Sequence, residues 1–258
     1  MRLLAATAIL LVAASARAHD FWIEPSTFHP TPGATVSVAL RAGQHFIGEP
    51  VPRMSPLIER FVVRQGGDEE EMAGIENTDP AGFFRADGRG TAVIAYQSRS
   101  TFVQLPAGRF EDYLREYGLQ RIIDARTRRG ERAKPGYEIF SRCAKSLLAG
   151  RASSSDATKP IGLRYEIVPD ADPTYGNAPF RGRLLYEGRP LPGALLTARL
   201  HGDPQVRLTA RSSATGAFTF PLPRPGIWLI TSVQMADAPR GSKAEWESVW
   251  ASLTFERR

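Results

Sequence analysis

Cysteine is almost absent: Cys143 is the only one in 258 residues. No intramolecular disulfide can therefore form, and stability must come from burial. Cys143 itself reads as a small buried hydrophobe. Long apolar runs are also scarce. Only LLAATAILLVAA, residues 3–14, is uninterrupted, and it falls short of the roughly 20 apolar residues that a bilayer span requires. Four histidines are present, with no HExxH, no CxxC and no close histidine pair, which removes the usual zinc signatures. The GxSxG, Walker A and GxGxxG patterns are missing as well, so hydrolase and nucleotide chemistry lose their usual support. The positive excess is only +6. Much of it sits in RTRRGERAK, residues 126–134, without interleaved aromatics; this reads as a solvated loop and argues against a nucleic-acid partner.

What is present begins with a leader. Arg2 supplies a positive start, residues 3–14 an apolar core, and Ala16-Arg17-Ala18 the small-x-small pattern that precedes a cut. Residues 1–18 are expected to be a signal peptide, which makes the mature chain exported, soluble and, in a bacterium, periplasmic. Cleavage after Ala18 leaves 240 residues beginning at His19, and the charge falls to +4 with the loss of Arg2 and Arg17.

The mature chain reads as all-β: two β-sandwich domains with a short helical insertion between them. Residues 35–40, 59–65, 90–98 and 101–106 are rich in β-branched and aromatic residues and are bounded by turn formers. Phe110, Tyr113, Leu114 and Tyr117 fall at i, i+3, i+4 and i+7, which predicts one face of a helix ended by Gly118, with a further helical turn through Ile122 and Ile123. Residues 137–150 fit a short helix or a strand equally, and 151–160 read as an exposed loop. The expected division is an N-terminal β domain over 19–169, with its helical insertion at about 109–148, and a C-terminal domain over 170–258. The latter shows strands separated by Gly-Arg-Pro, Thr-Gly and Pro-Gly turns. Trp246 and Trp250 are read as core packing of a terminal segment.

His19 is the leading candidate for metal chemistry. After a cut at Ala18 its α-amine and imidazole can chelate one ion, and one further histidine would complete a histidine brace. After a cut at Ala16, Arg17-Ala18-His19 instead forms a terminal tripeptide able to wrap square-planar Cu(II) or Ni(II). Asp20 is a candidate oxygen ligand or orienting carboxylate, and His45 a candidate second imidazole. His29 and His201 sit beside turn sequences and rank lower.

Two resemblances follow from these stretches. GRPLPGALL, ATGAFTFPLP and PGIWLITS, within residues 188–232, resemble the transthyretin-like, carboxypeptidase-regulatory type of sandwich. AHDFWIEPSTFHPTPG, VQLPAGRFEDYLREYGL, SRCAKSLL, GLRYEIVPDADPT and AEWESVWASLTFE are together similar to an exported family of unknown function associated with periplasmic components of ABC-type cobalt or nickel transport. The second resemblance implies a divalent-metal-handling protein near a transporter, with His19, Asp20, Phe21 and Trp22 at its start. Relatives often read valine-histidine-methionine where this chain has Val233-Gln234-Met235, and Gln234 is a poor ligand for a late metal. The expected function is thus a non-catalytic accessory to nickel, cobalt or copper uptake or homeostasis. A structural or adhesion module for a protein or glycan is the alternative; a histidine-brace oxidase acting on polysaccharide is the third reading.

Overall fold

The computed structural model describes residues 20–258. Its elements in chain order are β1 (Asp20–Pro25), β2 (Thr35–Gln44), β3 (Ile47–Val51), β4 (Ile58–Gln65), β5 (Asp68–Glu71), β6 (Gly82–Arg85), β7 (Ala92–Ser98), β8 (Thr101–Leu105), α1 (Ala107–Glu116), α2 (Gln120–Arg128), β9 (Gly136–Leu148), β10 (Tyr165–Pro169), β11 (Phe180–Tyr186), β12 (Arg189–Pro190), β13 (Leu195–Leu200), β14 (Asp203–Arg211), β15 (Ala217–Phe220), β16 (Gly226–Asp237) and β17 (Trp246–Arg257). The all-β sandwich class with a short helical pair is therefore what the chain adopts. No described helix is long and apolar enough to cross a membrane.

A nine-stranded sheet in the order β14-β13-β16-β17-β9-β7-β4-β5, with β8 also paired to β9, forms the middle of the molecule. One small sheet, β1-β2-β3 with β6 on β2, covers part of one face; a second, β10-β11-β12 with β15 on β11, covers the other. Alternation along β17 shows the division. Val249, Ala251, Leu253 and Phe255 enter the core shared with β10 and β11, whereas Trp246 and Trp250 enter a core beneath α1 and α2 with Phe110, Tyr113 and Leu114. The two tryptophans thus pack inside the molecule.

The segments before and after residue 170 meet within the central sheet. β9 and β17 pair in parallel over ten residues, from Glu138 opposite Trp246 to Leu147 opposite Phe255, while β7 pairs antiparallel with the other edge of β9. Parallel neighbours buried on both faces lose the one-sided alternation that marks a strand in sequence.

Three expectations are corrected by this arrangement. The helical insertion ends at Arg128, and residues 136–148 are a strand, because Cys143 and Leu147 fill one core while Ala144 and Leu148 fill the other. Residues 126–134 are not wholly solvated: Arg126 is fully buried, donates to Glu111 at 3.1 Å and to the Glu131 and Lys134 carbonyls at 2.8 and 2.7 Å, and lies over the Phe110 ring. Nor is 151–160 simply an exposed loop, since a turn of 3₁₀ helix at Ser155–Thr158 buries Asp156 and Ala157, and Asp156 accepts from the Gly67 amide at 2.9 Å.

Candidate functional site

β1 is the edge strand of its sheet, yet Phe21, Trp22 and Ile23 are all buried, because the strand lies across β17 and β9. The Thr254 hydroxyl donates to the Ile23 carbonyl at 2.8 Å and ties the two layers together. Phe21 packs on Tyr96 with centroids 5.1 Å apart, with the Arg142 guanidinium 4.9 Å from its ring. On the other side of the strand, Trp22 meets Phe46 edge-on at 5.3 Å and Leu229. Gly48 permits this closure: a Cβ there would stand 2.4 Å from the Trp22 ring.

Asp20, the first residue of β1, is 4% exposed. The Tyr117 hydroxyl, at the end of α1, donates to its Oδ1 at 3.1 Å. Burial pushes the Asp20 carboxyl up to about 6, opposed by the Tyr117 hydrogen bond and the positive charge of Arg199, with Glu116 raising it further and Thr231 lowering it. Arg199 comes from near the end of β13 and is itself buried. A carboxylate, a phenol and a guanidinium from β1, α1 and β13 thus converge where β1 begins.

His19 lies outside the described residues. His45 is exposed in the β2–β3 turn, two residues beyond Gly43, which pairs with Asp20. His45 and Phe46 have φ of 58° and 64°, the left-handed pair of a two-residue I′-type hairpin built here without glycine. Burial of Phe46 between Trp22 and His201 offsets that cost; the His201 ring stands 5.1 Å from Phe46. His45 and His201 therefore flank one aromatic residue at the end of the sheet where Asp20 lies. His29 is elsewhere, with Nε2 3.1 Å from Glu256 Oε2. Gln234 lines a groove of about 260 Å³ together with Tyr117, Leu195 and Arg211.

Among the described residues no three His, Cys, Asp or Glu side chains gather tightly enough to hold a metal. Of the described imidazoles, those of His45 and His201 are exposed, whereas His29 is partly buried against Glu256. Cys143 is buried on β9, and burial pushes its thiol up to about 12. Sequence reasoning missed Tyr117 as anything beyond packing, and missed Arg199 entirely; the only signal for the latter was a charged residue within the apolar strand LLTARL.

The fold and this cluster define a β-sandwich protein with a buried polar anchor at the head of its first strand. The chain belongs to the family described as domain of unknown function DUF4198, whose model matches residues 16–236. No curated protein matches it in sequence. Among solved structures, the D0-D1 domain of Intimin is similar at 10% identity over 92% of this chain and 97% of that chain, with a TM-score of 0.20, a likeness too loose to carry an argument.

Proposed function

We propose that the chain, processed at Ala18, binds a divalent late transition metal (nickel, cobalt or copper) through the amine and imidazole of His19. It would act without catalysis as a periplasmic accessory to metal uptake or homeostasis, delivering its cargo to an ABC-type transporter component. The supporting observation is the anchoring of Asp20: the residue covalently joined to His19 is buried and held by Tyr117, at the same end of the sheet as the exposed imidazoles of His45 and His201. In this reading Asp20 positions His19 rather than ligating the ion, because its carboxylate is already engaged. Nitrogen donors without thiolates suit ions late in the Irving–Williams order, with availability deciding which is loaded.

Intact mass defines the terminus, and competition titration with Ni(II), Co(II) and Cu(II) tests the ligand. His19→Ala is expected to weaken binding by at least about a hundredfold, some 2.7 kcal/mol, and a combined His45→Ala and His201→Ala change by less. Equal affinity of the wild type and His19→Ala for all three ions would refute the assignment.

A further inference from the structure

We infer that the open end of the sandwich between the central sheet and the β10–β11–β15 sheet binds a small organic anion, a carboxylate carried on an apolar body. A cavity of about 400 Å³ opens there between the 170–179 loop, the start of β11 and the end of β17, within the size range of small-molecule sites. Its apolar lining includes Phe180, Leu222, Pro173 and Pro179, and Phe180 is stacked on Phe255 with centroids 5.5 Å apart.

Arg257 supplies the cation. It is 6% exposed and lines the cavity, and one of its nitrogens donates to the Leu222 carbonyl at 2.8 Å. Among the described residues no carboxylate oxygen lies within the 4.0 Å of an ion pair with it. The two acids lining the same cavity are engaged elsewhere. Asp170 accepts from Arg183 at 3.2 Å. Asp172 accepts from the Thr174 amide and hydroxyl at 3.0 and 2.7 Å on one oxygen, and from Thr91 and Ser153 on the other. A guanidinium withdrawn from water without a counter-charge is costly, and its fork of donors matches a carboxylate geometrically. A second arginine, Arg181, stands exposed at the rim. An inorganic anion alone would leave the apolar walls uncovered, so the fitting ligand has both parts.

The test titrates the purified chain with octanoate and benzoate, and with octanol and benzyl alcohol as neutral counterparts, followed by NMR chemical shifts. Both carboxylates are expected to bind saturably and at least about tenfold more tightly than the alcohols. Arg257→Gln should remove that advantage while leaving alcohol binding unchanged. Ala178→Trp, on the exposed loop lining the cavity, should abolish binding of all four. Equal affinity for acid and alcohol, carboxylate binding unchanged in Arg257→Gln, or no saturable binding below roughly 10 mM would overturn the proposal. Should Arg257→Gln fail to fold, Ala178→Trp decides: full carboxylate affinity in that folded variant excludes this cavity.

Discussion

Replacing Glu166 with alanine is expected to cost about 3–5 kcal/mol, the loss typical when one partner of a buried ion pair is removed. Lys145 in β9 and Glu166 in β10 are 1% and 2% exposed, and Nζ stands 2.8 Å from Oε1 across the interface between the central sheet and the smaller one. Glu166 does more than neutralise the lysine. It also accepts from the amides of Ile161, Gly162 and Leu163 at 2.9, 3.0 and 3.2 Å, so its carboxylate is the common acceptor for the turn entering β10. Alanine would leave a buried ammonium and the amides of Ile161 and Leu163 without their partner. Lys145→Met should cost less, because the carboxylate keeps its three amides and gains an apolar neighbour of similar volume. Against a total stability of about 5–15 kcal/mol, the Glu166 variant would retain a small margin. Urea unfolding checks this: the midpoint should fall sharply with an unchanged slope, and a loss below about 1 kcal/mol for Glu166→Ala would exclude a structural role for the pair.

Glu138 is expected to produce the largest pH effect below neutrality. It is 2% exposed in β9 and accepts from the Ser248 hydroxyl, and from the Tyr113 hydroxyl at 3.2 Å. Trp250 in turn donates to Ser248 at 3.0 Å. Burial raises the carboxyl from its ordinary 4.5 to about 7, outweighing both hydrogen bonds. The folded state therefore holds its proton more tightly than the unfolded state. Stability from this group is full below about pH 4.5 and declines as pH rises to about 7, beyond which it stays level. At about 1.4 kcal/mol per unit, the decline amounts to about 3 kcal/mol. Glu138→Gln keeps an acceptor for the two hydroxyls and carries no charge. Its stability should match the wild type near pH 4.5 and exceed it above pH 7. Parallel stability-against-pH curves for the two proteins would show that Glu138 does not ionise on this scale.

Both predictions concern charged residues that local sequence patterns could not interpret. Lys145 and Glu138 lie in GYEIFSRCAKSLL, where burial on two faces erases periodicity and helix and strand fit equally well. The assignment was made by partners far along the chain: β17, over one hundred residues later, on one edge, and β7 and β8 on the other. Such non-local pairing leaves no short-range trace. The candidate site was legible to a similar degree. A histidine after a small-x-small motif marks His19 as a candidate directly, because that pattern is local. That Asp20 would be buried beneath Tyr117, with His201 brought to the same end through Phe46, depends on three segments separated by about a hundred residues each.

Composition and local pattern were sufficient for the all-β class, the disulfide-free core, the short strands between Pro and Gly turns, and the helix face carrying Phe110, Tyr113 and Leu114. Each follows from backbone propensity or from burial on a single side, which sequence periodicity records. Tertiary structure alone decided the shared nine-stranded sheet, the buried Lys145–Glu166 pair, the anchoring of Asp20 and the burial of Arg257 at the sandwich end. These depend on which distant groups meet and on how much water they exclude, quantities set by the assembled layers rather than by neighbours in the chain.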